Sequence, residues 1–209
     1  MMRMVLVRHG ETVWNREERI QGNNHGSLTR HGRRQAAALA RTLRIMCPVV
    51  VYASPVRRAW ETAEMIAASC GLAPVPVGAL MEVDAGELDG LKPEEMKERY
   101  PEFAERWCQD ATTAVMPGGE SLAQMQARVW PAVMEILERH RGETLVLVSH
   151  CLAIKSLLCH VLGIPLNSFG HFQLCVGAFS IVEFKSGGAV LTRHNDSCHL
   201  ERLAPVYVE

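Results

Sequence analysis

The sequence has no apolar run of membrane-spanning length, no surplus of charge of either sign, and no cysteines spaced Cys-x-x-Cys. Each absence removes a class of function. No segment is expected to cross a bilayer, and the opening "MMRMVLV" is too short for the hydrophobic region of a signal peptide. Lysine and arginine number 22 against 23 aspartates and glutamates, a net charge of −1. That balance supplies no long-range field to gather nucleic acid or an anionic membrane, so neither is expected as a partner. The seven cysteines are odd in number and scattered, which suits a reducing compartment and makes the cytoplasm the expected location. With no internal repeat, low-complexity tract or linker, residues 1–209 are expected to form one domain.

What is there is 48% hydrophobic and 22% charged, ordinary for a globular protein, with short apolar runs alternating with longer amphipathic stretches. Residues 5–7 read as a buried strand. The segment "LTRHGRRQAAALARTLRIM" places Ala36, Leu39, Ala40 and Leu43 at helical spacing, with Thr29 as N-cap and a run of arginines on a solvated face. "VVVYA" is a second strand; after it, Ser54 is expected to cap a helix with Pro55 at its first position and Gly71 at its stop. Gly118 and Gly119 read as a turn ahead of a helix opened by a Ser121–Gln124 capping box, which Pro131 is expected to kink or break. "TLVLV", then a helical "LAIKSLLCHVLG", then a hairpin of "FSIVEF" and "AVLTRHN" complete the chain, and residues 83–118 add two short helices. Strands buried on both faces and alternating with helices predict an α/β fold with a largely parallel sheet.

Ligands of such sheets bind beyond the carboxyl ends of the strands. Arg8 and His9 follow the first strand directly, Ser149 and His150 follow "TLVLV" directly, and Arg57 and Arg58 open the helix after "VVVYA". Three segments thus deliver two imidazoles and at least two guanidiniums to one edge. That combination suits an anion with planar or tetrahedral oxygens, because guanidinium offers a rigid fork of donors and helix starts add free amides. Gly10 is expected to let backbone approach the ligand closely. Other features carry less. His194, Cys198 and His199 match no standard metal-site spacing, and Cys151 would have only its own neighbour His150 to activate it as a nucleophile.

"LVRHGET", "SPVRRAWETA", "LMEVDAGELDG" and "LVLVSH", in that order, resemble the histidine phosphatase superfamily, the phosphoglycerate mutase-like enzymes, over residues 4 to about 200. The "RHNDSCHLE" close is similar to that of small broad-specificity and α-ribazole-type phosphatases. The resemblance implies a three-layer α/β/α sandwich with a mostly parallel central sheet. It implies His9 as the nucleophile that takes the phosphoryl group, with Arg8, Arg58 and His150 holding phosphate oxygens. Glu82 would be the proton donor, although Asp84 and Glu87 stand close by in the same motif. Asn15, Gln21 and Gly22 would line the phosphate pocket, together with Cys151, which stands where relatives commonly have glycine. No metal or cofactor is implied.

Other departures are His25 and Ser27, where relatives usually show aspartate and proline, and Lys155, where an arginine is common. They bear on the pocket wall and not on the nucleophile. The implied reaction is hydrolysis of a small phosphorylated metabolite, since the chain lacks the insertion that mutases typically carry after the acid motif. Phosphoglycerate mutase and a non-catalytic phospho-ligand binder are the alternatives. The alcohol half of the substrate and the oligomeric state, a homodimer included, stay open.

Overall fold

The computed structural model describes residues 2–24, 26–201 and 203. Six strands form one sheet: β1 (Met2–Arg8), β2 (Val50–Ala53), β3 (Pro74–Pro76), β4 (Thr144–Ser149), β5 (Phe179–Lys185) and β6 (Gly188–Asp196), in the order β3-β2-β4-β1-β5-β6. The first four are parallel, and the β5–β6 hairpin adds two antiparallel strands at the β1 side. β3 was not legible in the sequence: it is three residues long with proline at both ends, and proline confines it to the sheet edge.

Side-chain alternation sorts the core into two layers. Met4 and Leu6 of β1 and Leu145 and Leu147 of β4 face one side, where α6 (Leu122–Arg139) and α7 (Cys151–Val161) cover them. Val5, Val7, Val146 and Val148 face the other, under Leu39 and Leu43 of α2 (Arg30–Arg44) and Ala63 and Ile66 of α3 (Arg57–Ser69). Smaller side chains on this second face, continued by the alanines of α2 and α3, bring those helices close to the sheet. The result is the expected α/β/α sandwich.

Local signals set most helix starts. Thr29 accepts the Gly32 amide at 2.9 Å, and Ser121 and Gln124 cap each other's backbone at 3.2 and 2.8 Å. Arg30, Arg33, Arg34, Arg41 and Arg44 of α2 are exposed, as the sequence predicts. Two expectations are corrected. Of the kink or break expected at Pro131, the break does not occur: α6 runs unbroken through it. Its ring costs only the donor owed to the Ala127 carbonyl, and Ala127 is exposed to water, while Val129 and Val133 anchor the helix on either side. Helix α3 starts at Arg57 and not at Pro55, because buried Val56 keeps extended backbone (φ −63°, ψ 130°) as its uncapped N-cap. Ser54 therefore lies too early to cap the helix; its hydroxyl accepts the Val56 amide at 3.3 Å and bonds His150 at 2.8 Å.

The residues that position the site are a matter of register. β1 and β4 pair with Arg8 opposite Ser149, and β2 and β4 with Ala53 opposite Val148. The three strands therefore stop in line, and His9, Ser54 and His150 emerge side by side. Gly10 keeps this end compact in a way the sequence did not show. A Cβ there would sit 2.5 Å from the Gly32 carbonyl, so its bareness admits the start of α2. Gly10→Ala is expected to destabilise the protein by about 1–3 kcal/mol, measured by urea unfolding; an unchanged midpoint would show that the two backbones can part freely.

Candidate active site

Arg58 lies fully buried, in the first turn of α3. Its Nε donates to His9 Nε2 at 3.1 Å, its Nη1 to the Asn24 carbonyl at 2.8 Å and its Nη2 to the Gly22 carbonyl at 2.6 Å. His9 Nδ1 donates to the Gly10 carbonyl at 2.8 Å, so the lone pair lies on Nε2, the atom that Arg58 approaches. The His9 and His150 rings sit 5.2 Å apart. Burial first, then the Arg58 and Arg8 charges, hold His9 well below the usual histidine range; burial and Arg58 do the same to His150. Both imidazoles are therefore neutral near pH 7. Burial also pulls Arg58 down to about 10, which leaves it charged.

His150 Nε2 bonds the Ser54 hydroxyl at 2.8 Å, whereas its Nδ1 is buried with no protein partner. The same holds for Arg8 Nε and Gln21 Nε2. Buried polar atoms are ordinarily paired; Arg8 and Gln21 line one cavity with His9, and His150 lies beside His9, so these three nitrogens are candidate donors to an oxygen-rich ligand. Arg8 itself is steered by a 2.5 Å bond from Nη1 to the Leu174 carbonyl.

Glu82 is buried too, and lies in the loop before the turn at Gly86–Leu88. Its Oε1 accepts the amides of Val83 and Ala153 at 2.9 and 3.1 Å, and its Oε2 that of Leu152 at 3.0 Å. The latter two belong to the first turn of α7, an electropositive end that suits a carboxylate. Asp84 and Glu87, its neighbours in the motif, are exposed and engaged elsewhere, with the Gly86 amide and the Tyr100 hydroxyl. Arg128 of α6 clamps the loop by donating to the carbonyls of Ala79, Met81 and Glu82 while pairing with Glu120. A side chain on Gly119 would strike the Asp84 carbonyl at 2.1 Å, so the turn at Gly118–Gly119 packs directly beneath this acid loop.

A cavity of about 350 Å³ opens at this point, lined by Arg8, His9, Asn15, Gln21, Glu82 and Cys151 among others. Six of the nine site residues expected from the sequence therefore meet in one cavity. Arg58 and His150 stand behind it, in contact with His9. Gly22 does not line it; its carbonyl holds Arg58, its amide bonds Asp89 at 2.8 Å, and a Cβ would press on Ala85 at 2.8 Å. Asn15 spends its Oδ1 on Thr12, as a helix cap, and Gln21 spends its Oε1 there as well. Burial raises the Cys151 thiol above its ordinary value, which leaves it protonated and a poor nucleophile. His25 lies outside the described residues.

Sequence reasoning missed Ser54, Thr62 and Arg128. Thr62 links the Gly10 amide to the Arg58 carbonyl at 3.2 and 2.8 Å. None of the three carries a local signal, because each acts on a segment distant in the chain.

An open-sheet α/β fold with neutral imidazoles beside guanidiniums at its carboxyl edge defines an enzyme of oxyanion chemistry on small molecules. The histidine phosphatase superfamily (branch 1) pattern matches residues 4–197, and the chain belongs to that superfamily. Phosphoserine phosphatase 1 of Hydrogenobacter thermophilus is 34% identical over 200 residues, which cover 96% of this chain and 95% of that one. A protein named "Probable phosphoglycerate mutase GpmB" from Klebsiella pneumoniae is 31% identical over 206 residues, 96% of each chain. Among solved structures, a mycobacterial glucosyl-3-phosphoglycerate phosphatase in complex with VO3 has a TM-score of 0.85 at 30% identity, covering 93% of this chain and 99% of that one.

The depressed histidines tie stability to pH. Between their folded values and the ordinary 6.5, each imidazole binds a proton when unfolded and not when folded. Stability is thus expected to fall as pH drops below about 6.5, with a limiting contribution from the pair of about 2.7 kcal/mol per pH unit. Urea unfolding from pH 7.5 to 5 measures it. In NMR the assigned His9 and His150 rings should still be neutral at pH 6; titration of both near 6.5 would refute the electrostatic account.

Proposed function

We propose that this histidine phosphatase hydrolyses small phosphomonoesters through a phosphohistidine at His9. The observation that carries the reading is the buried, neutral His9, its Nε2 lone pair turned toward Arg58 beside three nitrogens that lack protein partners. In the first step His9 Nε2 attacks phosphorus, the ester P–O bond breaks, and its electron pair leaves with the alcohol oxygen. Glu82 supplies the proton to that oxygen. Its Oε2 accepts one amide where Oε1 accepts two, so Oε2 has room for the proton. In the second step the Glu82 carboxylate takes a proton from water, the water oxygen attacks phosphorus, and the P–N pair returns to Nε2. Arg8, Arg58 and the His150 Nδ1–H hold the phosphoryl oxygens, Gln21 Nε2 adds a donor, Asn15 and Cys151 shape the wall, and Gly22 acts from outside it by holding Arg58. Charge on the equatorial oxygens is met by guanidinium, so the reaction calls for no metal.

The same reading makes residues 1–209 one catalytic domain of the cytoplasm, to which its seven free thiols are suited. No helix among the described residues is long and apolar enough to cross a membrane. The mutase-named relatives favour a second reading, in which a hydroxyl of a phosphoglycerate, in place of water, takes the phosphoryl group.

With 2,3-bisphosphoglycerate and 3-phosphoglycerate, hydrolysis yields inorganic phosphate; formation of the 2-isomer would put the mutase first. His9→Ala is expected to lower turnover about a thousandfold or more and abolish acid-labile, base-stable labelling by phosphate; labelling that persists would place the nucleophile elsewhere. Glu82→Gln should slow alkyl phosphates by about a hundredfold or more and p-nitrophenyl phosphate, whose leaving group needs no proton, by far less. Equal losses would remove Glu82 as the acid.

A further inference from the structure

The cavity has a second half that the phosphoryl chemistry does not use. Beyond Glu82 its wall is Leu88, Met96 of α4 (Pro93–Arg99), Phe103 and Trp107 of α5 (Pro101–Asp110), and Met116. The indole of Trp107 is braced between the rings of Phe103, at 5.7 Å, and Phe169, at 6.2 Å. Two methionines add a surface that adapts to irregular apolar shapes. Among the described lining residues, charge away from the phosphate end comes from Arg19 alone. That guanidinium is already committed, with Nε on Glu17 at 2.7 Å, Nη1 on the Gly90 carbonyl at 2.8 Å and Glu95 at 3.6 Å. A substrate carboxylate would find no uncompensated cation here. A substrate ammonium would find Glu82, whose oxygens already take three amides.

Resting on the hydrolytic reading above, we infer that the alcohol half of the substrate is an apolar or aromatic group larger than a few carbons, with no second ionised group, seated against Trp107, Phe103 and the two methionines. An anionic second group would pay desolvation in this chamber with no partner to offset it, whereas each methylene buried there gains. The chamber is continuous with His9, Arg8 and Glu82 in one cavity, so a phosphomonoester spans both halves at once. This sets the chain apart from the relatives named for phosphoserine and for glucosyl-3-phosphoglycerate, whose substrates by those names carry further ionised groups.

The test compares phosphate release by the wild-type enzyme from ethyl, hexyl and 3-phenylpropyl phosphate, esters of similarly basic alcohols, and from O-phosphoserine and 3-phosphoglycerate. The two larger apolar esters are expected to exceed ethyl phosphate in kcat/KM by about tenfold or more, and to exceed both charged substrates. Trp107→Ala should shrink the hexyl-to-ethyl ratio and Trp107→Leu should largely keep it. Should the alanine variant misfold, Met96→Asn, at the half-exposed rim, should shrink the ratio in its place. A ratio near one in the wild type, or phosphoserine or 3-phosphoglycerate as the better substrate, overturns the inference while leaving hydrolysis intact. No release from any ester, p-nitrophenyl phosphate included, overturns the hydrolytic reading beneath it.

Discussion

The bond from the Arg58 guanidinium to His9 Nε2, 3.1 Å long and removed from water, constrains the rest of the site. A buried guanidinium must have its donors satisfied and its charge tolerated. The carbonyls of Gly22 and Asn24 satisfy the donors, which obliges residues 21–24 to fold back over α3 and be pinned there by Asp89 and Thr12. The charge is tolerated because Glu82 and Asp89 lie near enough to oppose the burial penalty on Arg58. The same positive field keeps both imidazoles unprotonated. One cation thus orients the lone pair and orders the loop beside it.

The lone pair that accepts from Arg58 is the one that the proposed reaction needs to reach phosphorus. In that reaction a phosphoryl group between His9, Arg8 and His150 would exchange the Arg58–His9 contact for charge-assisted bonds to its own oxygens. The unpaired nitrogens of Arg8, Gln21 and His150 are its natural partners.

The acid is positioned by a separate mechanism. Glu82 reaches the cavity from a loop with no regular secondary structure, which Arg128 ties down by three carbonyls and α7 ties by two amides. His9 therefore rides on the sheet and Glu82 on the α6–α7 layer, and the proposed reaction sets the ester bond between them. The apolar chamber belongs to that same layer, so change in α4 and α5 can alter the alcohol accepted without disturbing His9.

Much of this was legible in the chain. Alternating apolar runs and helical spacings marked the strands and the long helices, and the abrupt passage from residues 5–7 to Arg8 and His9, matched at Ser149 and His150, showed which ends would face a ligand. These are local properties, set by side-chain period and by which residue follows a strand. Pro131 and Pro55 misled because proline's local cost was outweighed by exposure in the one case and by the burial of Val56 in the other. The burial of Glu82 against the exposure of Asp84 and Glu87, the service of Ser54 to His150, the packing role of Gly10 and the apolar chamber were decided only by tertiary structure. Each depends on which backbone or side chain arrives from tens of residues away, and no period or spacing along one segment encodes that arrival.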